Sequence, residues 1–238
     1  MRVRKGLVGT AMAACTVACM LPAEAHAQDS RNRDAGWGLV SDVSLAVAGL
    51  SVAVTPRVYY SDPQSTVGWK GRWHVSSLAP LMTLGVVSLL VDQPIKQAFQ
   101  DPRPGCSVDQ TTAALPDSNC GSFGLPSTHA FATAGFAGMG LGVFLVDTFK
   151  YSNGNVHPGA VVGNVVLPMS ALLLGSVARG VETTDNTLQP DRPTLGFEKP
   201  EQILAGAIPG LLIGAGLGAV YAVMQRPGCP YGDSLFCW

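Results

Sequence analysis

Charge is what this 238-residue chain has least of: Asp, Glu, Lys and Arg together make up 13% of it, and the formal net charge is −1. No run of Lys and Arg interleaves with aromatic residues, so the basic face that a nucleic-acid partner requires is missing and that class is excluded. Histidine is scarce, four in all, and the six cysteines show no zinc-site spacing. No metal or other cofactor is expected. What fills the space left by charge is apolar: hydrophobic residues reach 47%, a balance typical of membrane proteins.

The first 27 residues have their own explanation. Arg2, Arg4 and Lys5 precede an apolar run, and Ala25-His26-Ala27 ends it as a small-x-small cleavage site. This is the pattern of a secretory signal peptide over 1–27; the competing reading is an uncleaved first transmembrane helix, for which the run is short of the ~20 residues a span needs. Residues 28–38 read as a polar arm, 39–225 as one helical domain and 226–238 as a tail. Export permits oxidation, and four cysteines follow the cleavage site. Cys106 and Cys120 are the favoured pair because both lie in one polar segment; Cys229 and Cys237 form a weaker candidate.

Five apolar stretches follow, at about 39–55, 78–91, 130–146, 159–178 and 203–224. Each is near the length that crosses a bilayer, and the second extends toward Ile95. The expected fold is all-α, a membrane bundle of about five transmembrane helices, because a helix is the open-ended element that satisfies its own backbone in lipid. A soluble helical bundle with buried helices is the alternative, and the uncharged run after Gln202 argues against it. The last stretch carries Gly206, Gly210, Gly214 and Gly218, and the third carries Ala134, Gly138 and Gly142. Small residues every fourth position make a groove where a second backbone can approach closely.

Counting crossings from an exported N-terminus puts the 92–128 and 179–202 loops on one outer side. Those loops hold the chemistry. Lys96-x6-Arg103-Pro104 combines a mobile ammonium with a rigid guanidinium fork, both suited to phosphate. Pro126-Ser127-Thr128-His129 follows, opening the third apolar stretch. There Ser127 reads as an N-cap at an anion-attracting helix start, and His129 falls in the first turn.

These words resemble the type 2 phosphatidic acid phosphatase and haloperoxidase superfamily, whose signatures are K-x6-R-P, P-S-G-H and S-R-x5-H-x3-D. The first is complete, and the second has Thr128 in place of glycine. The resemblance implies that Lys96, Arg103, Ser127 and Thr128 hold phosphate and that His129 protonates the leaving oxygen. The third word is eroded. In the stretch 191–207, Arg192 matches the arginine, but Glu198 stands at the nucleophilic histidine and Gln202 at its aspartate. A second register takes Arg179 as the arginine, and the sequence leaves Arg179 and Arg192 open.

Two functions are therefore expected. One is a membrane phosphatase acting at the outer face on a phosphomonoester or diphosphate of a lipid-like substrate, with Glu198 as a substitute nucleophile. The other is an inactive relative that binds a phosphorylated lipid or serves as a scaffold. The implied partners are a phosphorylated lipid or small phosphoester and the membrane, without nucleic acid.

Overall fold

The computed structural model describes residues 35–60, 69–72, 78–104, 106–112, 120, 122–181 and 197–225. The 1–27 leader, Arg192, Cys229 and Cys237 lie outside the described residues. What is described is overwhelmingly helical, with one two-stranded sheet.

Five helices are long and apolar enough to cross a membrane: Gly36–Val54, Leu78–Phe99, Thr128–Tyr151, Pro158–Val181 and Pro200–Met224. They are called the first to fifth spans below. The first helix begins at Ala35, earlier than the composition suggests, and the second runs on to Phe99. That extension crosses a π-helical turn, Val91–Ile95, containing Pro94. Proline cannot donate to the preceding turn, and the wider π turn absorbs the lost bond without ending the helix.

The third span forms the centre, with most of its side chains buried between the first, fourth and fifth. Its contact with the fifth span is the most extensive in the bundle. Sequence explains the closeness: a Cβ placed at Gly210 or Gly214 would collide with the carbonyl of Phe131 or Gly135. The glycine face of the fifth span thus presses backbone to backbone on the third. On another side Leu84 of the second span packs into the notch left by Gly135. Phe131, Phe136, Met139, Leu45 and Val52 complete the buried apolar core. Leu89, Leu173 and Leu212 remain exposed on the outside of the bundle.

One end of the bundle carries a hairpin in which β1 (Arg57–Tyr60) pairs antiparallel with β2 (Trp69–Arg72). Here Arg57 is buried. Its Nε donates to Asp147 Oδ2 at 3.0 Å, its Nη2 donates to Asp147 Oδ1, and its Nη1 donates to the Gln225 carbonyl at the end of the fifth span. The clasp joins the hairpin to the ends of the third and fifth spans. The other end gathers the words singled out in the sequence.

Candidate functional site

The start of the third span sets the frame. Ser127 adopts extended backbone geometry, and its hydroxyl accepts the Ala130 amide at 3.2 Å, the N-cap arrangement. The Ser127 amide donates to the Gln202 carbonyl at 3.0 Å, which stitches this helix start to the first turn of the fifth span. The fourth span joins through its last turn, because the Glu198 amide donates to the Arg179 carbonyl at 3.2 Å. Three helix ends that are distant in sequence therefore meet around Ser127 and Glu198.

The charged side chains at this junction are buried: Lys96, Arg103, Arg179 and Glu198 are each only 2–3% exposed. Arg179 Nη2 donates to Glu198 Oε1 at 2.8 Å. The Arg103 guanidinium and the nearby Ser127 hydroxyl act on the same carboxylate. Burial by itself pushes a carboxyl group up, but the Arg179 and Arg103 charges, the Arg179 hydrogen bond and the nearby Ser127 hydroxyl outweigh it and bring Glu198 down to about 2. Glu198 is ionised throughout the physiological range.

Both guanidiniums also lie over the Phe197 ring, with Arg103 Cζ 3.8 Å and Arg179 Cζ 4.4 Å from its centroid. Arg103 Nη2 donates further to Ser122 Oγ at 2.8 Å. A disulfide between Cys106 and Cys120 closes the loop that carries Ser122 back toward Arg103.

Lys96 and His129 each meet a carboxylate from within a span. Lys96 Nζ lies 3.0 Å from Asp92 Oδ1, one helical turn earlier, and the Thr128 hydroxyl donates to that same oxygen at 2.8 Å. His129 Nε2 lies 3.0 Å from Asp42 Oδ1 of the first span. Arg179 and Glu198 are both close enough to His129 to act on its charge. His129, Ser127, Arg103, Arg179 and Glu198 thus belong to one coupled polar cluster, and Lys96 and Thr128 meet at Asp92 beside the same helix start.

Of the two candidate third arginines, Arg179 is in this cluster; Arg192 lies outside the described residues. Gln202 has another task. Its Nε2 donates to Asp101 Oδ2 at 2.7 Å and to the Pro102 carbonyl at 3.1 Å, while its Oε1 accepts the Lys199 amide at 3.0 Å. Lys199 Nζ also reaches Asp101, at 3.2 Å. The amide of Gln202 therefore clamps the loop after Lys96 to the fifth span and does not orient the side chain at 198. Gly124 is needed here, since a Cβ at that position would overlap the Gln202 side chain.

Four participants were given no role by the words read in the sequence: Asp42 and Asp92, which lie outside them, and Asp101 and Phe197, which fill unspecified positions within them. For the first two a signal existed, because a carboxylate within an apolar span seldom persists without a cation. For Asp101 and Phe197 the meaning depends on contacts with residues about a hundred and about twenty positions away, respectively, which spacing alone does not reveal. Among the described residues no group of three His, Cys, Asp or Glu side chains could hold a metal ion.

No protein family, no curated protein and no solved structure matches this chain. Its function must be argued from the cluster itself. The arrangement supplies two guanidiniums, a capping hydroxyl and a histidine, groups of the kind that stabilise the equatorial oxygens of a phosphoryl group, while the Lys96 ammonium is paired with Asp92. It also supplies its own anion, the Glu198 carboxylate, in contact with Arg179.

Proposed function

We propose that this chain is a membrane-embedded member of the type 2 phosphatidic acid phosphatase and haloperoxidase superfamily that has kept the phosphate cradle and lost hydrolysis. It serves as a binding or scaffold protein, exported by its leader, with the cradle at the outer face of the membrane. One observation carries the reading: Glu198, at the position of the nucleophilic histidine, is ion-paired with Arg179 at 2.8 Å and faces Arg103 as well. A carboxylate held there takes the place of the phosphate oxygens that the guanidiniums would otherwise receive.

The chemistry favours this over attack by Glu198. A carboxylate held near pKa 2 is a weak base and a weak nucleophile. Its Oε1 is bonded to Arg179, one of the cations that would have to hold the substrate, and a phosphate dianion entering beside it would meet like charge. The residue that would orient a histidine at 198 is also absent, because Gln202 is committed to Asp101. A hydrolytic reading retains one support, the His129–Asp42 pair, which is arranged as an acid with an orienting carboxylate.

Phosphate release from phosphatidic acid and from an aryl phosphate separates the two. The intact chain in detergent is expected to release none above a His129→Ala control. The double variant Glu198→His, Gln202→Asp is expected to gain release that His129→Ala then abolishes. Release by the intact chain that vanishes in Glu198→Gln would make Glu198 a nucleophile and overturn the proposal.

A further inference from the structure

Two guanidiniums whose charges act on one carboxylate also repel each other, and in a buried setting that repulsion is poorly screened. Something must hold both in place before any anion arrives. Ser122 accounts for one nitrogen of Arg103, and the Glu198 carboxylate for one nitrogen of Arg179. What both share is Phe197: each guanidinium carbon lies over its ring, at 3.8 and 4.4 Å from the centroid. The ring itself is 2% exposed, so the contact is desolvated, the condition in which a cation over an aromatic face is strongest. Phe197 is also fixed along the chain, since the next residue is tied by its amide to the Arg179 carbonyl.

We infer that Phe197 is a positioning residue that pre-organises Arg103 and Arg179 as a pair for a tetrahedral oxyanion, through the negative face of its ring and not through its bulk alone. The inference rests on the cradle reading given above and adds a residue to it. The ring offsets part of the repulsion between the two cations. It also limits how far either guanidinium can swing, so less motion is lost when an anion binds. In the intact chain the beneficiary is Glu198. With that carboxylate removed the beneficiary is an external oxyanion such as inorganic phosphate.

The test uses the full chain in detergent with Glu198→Ala, titrated with inorganic phosphate and followed by calorimetry and by the rise in melting temperature. Phosphate is expected to bind the Glu198→Ala protein saturably. Adding Phe197→Leu, apolar but not aromatic, is expected to weaken that binding about tenfold, the loss of one to two buried cation–π contacts. Adding Phe197→Tyr or Phe197→Trp is expected to keep affinity within about threefold, since the aromatic face is retained. Where the leucine variant does not fold, Phe197→Met fills a similar volume and provides the same contrast. Equal affinities for the aliphatic and aromatic variants would overturn the positioning role while leaving the cradle intact. No saturable phosphate binding by Glu198→Ala itself would overturn the cradle reading on which the inference stands.

Discussion

The two ends of this bundle each bury an arginine against a carboxylate, and they do so in different ways. At the hairpin end Arg57 meets Asp147 with both sides of its fork and closes on the Gln225 carbonyl, one cation to one anion. At the motif end Glu198 faces two guanidiniums, Arg179 in direct contact and Arg103 acting alongside it, with His129 also within electrostatic reach. The first arrangement is balanced and ties three elements together. The second gathers more cationic groups than its carboxylate requires, which is what an anion cradle looks like when its own chain supplies the anion.

Breaking either pair from one side has the largest expected effect. Arg57→Ala leaves the buried Asp147 carboxylate uncompensated and is expected to cost about 3–5 kcal/mol in a denaturant titration in detergent, whereas Arg179→Ala, which leaves Arg103 acting on Glu198, is expected to cost less. The ends then diverge. Replacing both partners by apolar residues, Arg57→Met with Asp147→Leu, is expected to recover most of that loss, as buried pairs commonly do. Arg179→Met with Glu198→Leu is expected to recover less, because Arg103 then remains beside an apolar site. Equal recovery at both ends would remove the distinction.

Cutting the Cys106–Cys120 link comes next. A disulfide closing a loop of about 15 residues contributes about 3 kcal/mol by chain entropy, and Cys106→Ser with Cys120→Ser tests that figure directly. The loss is expected to appear as lower stability and as faster proteolysis of the segment between them, with the hairpin end unaffected.

A smaller effect follows from pH. The folded value for Glu198, about 2, lies below its ordinary 4.5, so the folded state binds the proton less readily than the unfolded state does. The stability this supplies is fully present above pH 4.5 and is lost as pH falls through about 2. The stability difference between the intact chain and Glu198→Gln should therefore stay constant above pH 4.5 and shrink between there and pH 2. A difference that grows on acidification would mean that the carboxylate is not held by the arginines.

Much of this was legible in the chain. Long apolar runs located the five long helices, and the four-residue glycine spacing of the fifth span marked the face that presses on the third. Element ends were less clear, because Pro94 reads as a helix stop while the π turn around it carries the second span on to Phe99. At the candidate site, Lys96, Arg103, Ser127 and His129 announced themselves by spacing. The third arginine did not, since Arg179 and Arg192 both fit a register and only the contact with Glu198 places Arg179 in the cluster. Asp42 stood out as a carboxylate in an apolar run, but its pairing was hidden for a related reason, since its partner His129 lies 87 residues away, on another helix.

The account depends on Glu198 being the resident anion of the cradle. A side-by-side titration of the intact chain and Glu198→Ala with inorganic phosphate, read by calorimetry in detergent at neutral pH, tests this most directly. Saturable binding by Glu198→Ala and none by the intact chain is the predicted result. Saturable binding of similar strength by the intact chain would contradict it, because the cradle would then be open with its glutamate in place.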